Sequence, residues 1–282
     1  MKLSWLSQIA LRAAQIGLLA AIFVVWHVAS RDPQVAFFIG EPLKVLWRIW
    51  TWFTSGSSEL HVGTRETTWF TLRFPAEIWS HLLVTLTETM LAFVIGTTLG
   101  LVFGLWLALS PIASAILDPY IKALNSMPRV ILAPIFSVWF GLGIWSKVAL
   151  AVTLVFFIVF FNVYQGVREV SPNVLANARM LGADRRQLLR HVYLPSAMSW
   201  VFSSLHTSVG LAFVGAVVGE YLGSARGVGY LILQAEGTFD ISTVVAGILV
   251  LTAFALALDA LVGVVERRLM KWQPRQGETE KL

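Results

Sequence analysis

About six long apolar runs, each roughly 18 residues or longer, alternate with short polar stretches along this chain. They cover residues 9–29, 82–109, 116–140, 148–167, 201–222 and 241–265. A helix rising 1.5 Å per residue needs about 20 residues to cross a hydrocarbon core of about 30 Å, so each run predicts a transmembrane helix. The first is too long for the core of a signal peptide and no small-residue cleavage site follows it, so it is expected to stay as a span. Residues 45–53 are amphipathic and rich in Trp, as in a helix lying at the membrane interface. Residues 54–73 turn to Ser, Gly, Thr and charge and read as a surface loop.

Composition supports the same solvent. The chain is 57% hydrophobic and 13% charged, with a mean hydropathy of +0.73, whereas a soluble domain carries roughly 25% charged residues. It has no cysteine, which excludes a disulfide framework and a thiolate metal site. The net charge of +5 could suggest nucleic acid. However, the basic residues cluster between and after apolar spans and do not interleave with exposed aromatics, so membrane topology explains them. With the N-terminus inside, the inner segments hold Lys2 and Arg12, then Arg168, Arg179, Arg185, Arg186 and Arg190, then Arg267, Arg268, Lys271, Arg275 and Lys281. The short outer loops hold Lys147 and Arg226. Because Lys and Arg are retained on the cytoplasmic side, both termini are expected there.

Between the fourth and fifth spans, Ser171-Pro172 predicts a helix start, a short helix running to about Leu181, and Gly182 ending it with positive φ. Asp184 is placed to cap a second short helix that Pro195 stops. The product is an elbow bearing arginines and an apolar ridge of Val174, Leu175, Ala178 and Leu181. By physics alone, two uses stay open: docking to a partner, or lying on anionic lipid.

The elbow carries a resemblance. Ala176-Asn177-Ala178, three residues, Gly182, nine residues and Val192-Tyr193-Leu194-Pro195 are similar to the E-A-A-x3-G-x9-I-x-L-P motif of bacterial ABC importer permeases. The stretches Asn125–Pro134, Trp139–Gly143, Phe161–Arg168, Gly219–Gly223 and Gly227–Tyr230 resemble the branch that imports nitrate, sulfonates and taurine. The likeness spans residues 79–272. It implies an all-α polytopic membrane protein with six transmembrane helices, of type I ABC importer permease architecture, with a cytoplasmic coupling helix. Residues 1–78 would be an N-terminal helix and long extracytoplasmic loop, 79–272 the permease domain and 273–282 a cytoplasmic tail. The motif assigns ATPase coupling to Leu175, Ala176, Asn177, Ala178, Arg179, Gly182, Ala183, Arg185, Leu194 and Pro195. The motif's glutamate is Ala176 here and its second alanine is Asn177, which removes the acidic contact.

The resemblance further implies a bacterial inner-membrane assembly of two permease copies, cytoplasmic ATPase subunits and an extracytoplasmic solute-binding protein. The chain has no G-x4-G-K-[ST] phosphate loop, so ATP and Mg belong to the separate ATPase and this chain is expected to bind no cofactor and catalyse nothing.

Ionisable residues at membrane depth are functional candidates. Arg129, after Pro128 and near Asn125, is either an electropositive element on an anion's path or an arginine bonding freed carbonyls. His206, beside Ser203, gives a polar stripe that lines the pathway or bonds a neighbouring helix. Glu220 is expected to pair with a residue such as Arg226. Gly96, Gly100 and Gly104 form a small-residue face for intrachain packing or a dimer seam. A secondary transporter or channel subunit is the alternative. The first of these would show internal repeats framing coupling carboxylates, and none frames Glu88, Asp118 or Asp259.

Overall fold

The computed structural model describes residues 5–63 and 68–269, which divide into two compact units. The first comprises Met1–Ser80 and Leu231–Leu251 and the second His81–Tyr230 and Thr252–Leu282.

The first unit begins with α1 (Trp5–Ala29), whose apolar side chains, such as Leu19 and Val25, are exposed along its length, as on a helix facing lipid. Trp26 Nε1 at its end donates to the carbonyls of Ile39 and Gly40, each at 3.2 Å. This anchors α2 (Pro33–Ile39), which is capped by Asp32. In α3 (Pro42–Thr54) Val45 and Trp52 are buried on one face while Leu43, Leu46, Trp47 and Trp50 are exposed on the other.

A β-hairpin follows, where the sequence suggested only a surface loop. Strands β1 (Ser58–Gly63) and β2 (Thr68–Phe74) pair antiparallel, with Glu59 opposite Arg73 and their side chains 2.7 Å apart. The alternation of Thr with aromatic and aliphatic residues in Thr68–Phe74 is a strand pattern that the polar composition of the neighbouring stretch masked.

In the second unit the central helix is α7 (Ile144–Arg168), packed against α4 (Glu77–Leu109), α10 (Leu194–Ser203) and α11 (Leu205–Gly223). Its core is small and β-branched: Val148, Ala151, Val155, Val159, Val163 and Val167 meet Ala92, Ala197, Val201 and Ala212. A Cβ on Gly96, Gly100 or Gly104 of α4 would come within 2.7–2.9 Å of Val155, Val159 or the Phe160 carbonyl. The glycine stripe is therefore an intrachain seam, which lets two helix backbones approach closely.

The run 116–140 is not one helix. It is α5 (Pro111–Ser126), then a 3-10 turn (Arg129–Leu132) and α6 (Ala133–Phe140), bent by 86°. Pro128 removes an N–H and holds Met127 in the extended region (φ −70°, ψ 136°), so the helix ends there. Neither half reaches the roughly 20 residues that cross a bilayer. Among the described residues, five helical stretches are long and apolar enough to span, and six if the bent pair counts as one.

Candidate functional site

The elbow is built from α8 (Pro172–Met180) and α9 (Arg185–Leu188). Gly182 has φ +85°, with the Ala183 N–H on the Ala178 carbonyl and the Gly182 N–H on the Arg179 carbonyl, both at 3.0 Å. This pair of bonds is the Schellman arrangement, which satisfies the last carbonyls of α8. Asp184 and Gln187 then exchange bonds at 2.6 and 2.8 Å in a capping box.

Three details depart from expectation. The Ser171 side chain makes no capping bond, and Pro172 alone supplies the N-terminal geometry. The ridge is split, with Leu175 and Ala178 half-buried while Val174, Met180 and Leu181 project; Leu181 is 89% exposed. Pro195 does not stop the second helix. A π-turn over Leu189–Tyr193 carries the chain into α10 with Pro195 in its first turn, because wider i→i+5 closure absorbs the missing donor and the ring. Around these features Ala176, Asn177, Arg179 and Arg185 are exposed, Ala183 and Leu194 half-buried.

The membrane candidates fall into separate groups. Arg129 Nη2 donates to the Asn125 carbonyl at 2.9 Å and to the Asn125 carboxamide oxygen, and its guanidinium lies 4.6 Å from the centre of the Phe157 ring. Its partners are thus the broken end of α5 and an aromatic face. A double-mutant cycle with Arg129→Ala and Asn125→Ala, read by thermal unfolding in detergent, is expected to show coupling of about 1 kcal/mol. Additive losses would free Arg129 for another partner.

His206 Nδ1 lies 2.6 Å from Asp259 Oδ1 and so ties α11 to α13 (Ile241–Leu269). The side chain of Ser203 lies outside the described residues. The sequence placed Asp259 near a span without linking it to His206.

Glu220 corrects a further expectation, since Arg226 is not its partner. It is fully buried and accepts from Thr85 Oγ1 at 2.6 Å and from the Gly229 N–H at 2.8 Å, with the buried carboxyl of Glu88 close by on α4. Next to it begins α12 (Val228–Gly237). The Val228 N–H donates to Thr85 Oγ1 at 3.2 Å and the Gly227 N–H to His81 Nδ1 at 3.1 Å. Side chains of α4 and α11 thus satisfy three backbone donors at the N-terminus of α12, where the helix dipole favours a carboxylate. Lys147, also buried, is near enough to both glutamates to interact with them electrostatically, while its Nζ donates to the carbonyls of Leu142 and Gly143 at 2.6 and 3.0 Å.

Sequence reading missed this cluster. Lys147 looked like an outer-loop charge because the run was started at residue 148, whereas α7 begins at Ile144. The available signal was three ionisable residues inside otherwise apolar helices.

Residues 66–271 match the family described as binding-protein-dependent transport system inner membrane component. The chain is 33% identical over 197 residues to the putative aliphatic sulfonates transport permease protein SsuC of Bacillus subtilis, covering 70% of this chain and 71% of that protein. It is 30% identical over 258 residues to the taurine transport system permease protein TauC of Escherichia coli, covering 91% and 88%. The riboflavin transport system permease protein RibX of Chloroflexus aurantiacus is 31% identical, with 90% and 88% covered. Among solved structures, an inward-facing MetNI methionine ABC transporter matches with a TM-score of 0.57 at 18% identity, covering 67% of this chain and 94% of that one. At that identity the likeness speaks for the fold alone.

Proposed function

We propose that this chain, which belongs to the family of binding-protein-dependent transport system inner membrane components, carries a small anion of the sulfonate class. It is the permease subunit of an ABC importer, and its several apolar helices make it a multi-pass membrane protein. The solute class is drawn from the relatives named for aliphatic sulfonates and taurine.

The observation that carries the mechanism is the elbow. An exposed Leu181 and Met180, held out by a glycine-capped helix and a capping box, form an apolar knob flanked by Arg179, Arg185 and Arg186. Large exposed apolar side chains on a rigid support fit a cleft of a partner protein. In this reading the partner is a cytoplasmic ATPase that binds ATP and Mg, the elbow and both termini are cytoplasmic, and the membrane is the bacterial inner membrane. A solute-binding protein delivers the anion on the outer side and a second copy of the chain completes the pathway. ATP-driven closure of the motor pushes the elbow, and α10, continuous with it through the π-turn, passes the movement to the core around α7.

The test is reconstitution in proteoliposomes with the ATPase and binding protein, following uptake of labelled taurine and ATP hydrolysis. Leu181→Asp is expected to reduce both at least tenfold while the permease stays inserted. Unchanged hydrolysis in that variant would remove the elbow from the mechanism, and uptake without ATP would overturn the importer reading.

A further inference from the structure

We propose that a cavity beside the end of α7 is a binding site for a small free oxyanion of the sulfonate or sulfate type, with Arg168 as its principal ligand. The expected source of that anion rests on the sulfonate-importer reading; the chemistry of the site does not.

The cavity has a volume of about 810 Å³ and is walled by α5, α7 and α10, within the range of about 300–1,000 Å³ usual for small-molecule sites. Its polar lining includes Ser114, Lys122, Asn162, Tyr164, Gln165 and Arg168. Two charges cancel, because Lys122 Nζ lies 2.6 Å from Asp118 Oδ2. The charge of Arg168 has no such match. Its Nη1 donates to Tyr164 Oη at 2.6 Å and its guanidinium lies 5.3 Å from the centre of the Tyr164 ring, and among the described residues no carboxylate forms an ion pair with it. The Gln165 amide, not Arg168, takes the neighbouring Glu169 carboxylate at 2.9 Å.

The guanidinium is also held in place. Tyr164 Oη lies 2.5 Å from Ser114 Oγ, so a relay from α5 fixes the phenol that fixes the arginine. A guanidinium has five N–H donors, and the Tyr164 bond uses one, leaving a planar fork of the geometry that binds sulfonate or sulfate oxygens in pairs. An arginine ordered before the anion arrives has less rotamer freedom to lose on binding. Serine and amide groups nearby supply neutral donors for the remaining oxygens.

The wall opposite is equally built. A Cβ on Gly166 would lie 2.3 Å from Trp200 Cδ1, so only glycine admits the indole, and Ser196 Oγ donates to the Gly166 carbonyl at 2.7 Å. Trp200 and Ser196 both belong to α10, which emerges from the elbow. Occupancy of the cavity and position of the elbow are therefore read by the same helix. In the topology proposed above, with the elbow cytoplasmic, an anion here sits on the side of the membrane where a transported solute is released.

The experiment uses the full-length permease with its ATPase in nanodiscs of phosphatidylcholine, without ATP or binding protein, and titrates ethanesulfonate and sulfate by calorimetry. Arg168→Gln is expected to weaken binding at least tenfold. Arg168→Lys, which keeps the charge and loses the fork, is expected to weaken it about threefold to tenfold, and Tyr164→Phe, which frees the arginine, to weaken it measurably. Arg12→Gln, at the exposed face of α1, is the charge control. Equal affinity in wild type and both Arg168 variants would overturn the site, as would absence of binding by wild type. Repeating the titration with phosphatidylglycerol present separates the two sources of oxyanion: binding lost completely to the lipid would assign the cavity to a headgroup and overturn the proposal. A protein that binds ethanesulfonate yet fails to import sulfonates would overturn the transport reading and leave the site standing.

Discussion

Gly227→Ala is expected to abolish accumulation of folded permease. The residue has φ +105°, a backbone conformation that costs an L-residue at least about 1–2 kcal/mol. The larger penalty is steric. A Cβ there would lie 2.1 Å from Glu220 Cδ and 2.3–2.5 Å from both carboxylate oxygens. The carboxylate has nowhere to retreat, since it is fully buried and held by Thr85 and the Gly229 N–H. Moving it would strand the Gly229 N–H and the Thr85 hydroxyl and leave Lys147 less compensated. Breaking a buried charged network costs about 3–5 kcal/mol, which with the backbone term approaches the whole stability of a typical domain. Fluorescence-detected size exclusion of detergent extracts is the measurement. Gly143→Ala, at an ordinary φ of −77° with open space around its Cβ, serves as the tolerated comparison. A normal monodisperse peak for Gly227→Ala would overturn this account of the turn.

Gly182→Val is expected to have the opposite profile, with normal insertion and at least a tenfold loss of ATPase stimulation. Nothing lies within 4 Å of a Cβ at Gly182, so the cost is confined to its φ of +85°, about 1–2 kcal/mol. The elbow escapes that strain by leaving the positive-φ region, which breaks the two 3.0 Å bonds that end α8. Leu181 then points elsewhere. With Ala176 in place of the acidic residue of the resembling motif, little attraction remains to realign it. Gly182→Asn is expected to keep most of the coupling, because asparagine tolerates left-handed backbone. Binding-protein-stimulated hydrolysis in proteoliposomes separates the two variants, and normal stimulation in Gly182→Val would show that the direction of the elbow does not matter.

What the residues revealed in advance was what local rules govern. Helix-length apolar runs announced the spans, and the positions of Gly182 and Asp184 announced the two elbow caps, since each depends on a few neighbouring backbone groups. Pro128 was read for the carbonyls it frees, but the 86° break in the run was not foreseen, because the angle depends on what the second half packs against. Glu220 was given the wrong partner for a similar reason. Arg226 is near in sequence, but Thr85 reaches Glu220 from α4, 135 positions away, and no local pattern encodes that contact. The hairpin was lost in a stretch whose composition spoke louder than its alternation.

The buried trio also bears on how the protein is made. Glu88, Lys147 and Glu220 enter the membrane on three different helices, α4, α7 and α11. An ionised residue within a lone inserted helix is costly, up to about 2.5–3.5 kcal/mol at its centre on insertion scales, and Glu88, the first of the three to be made, has no counterpart until a later helix arrives. Lys147 finds Glu88 already made, whereas Glu88 leaves the ribosome roughly sixty residues before Lys147 exists. Biogenesis is thus under pressure to hold α4 at the edge of the insertion machinery, in contact with water or protein, until α7 and then α11 can close around it.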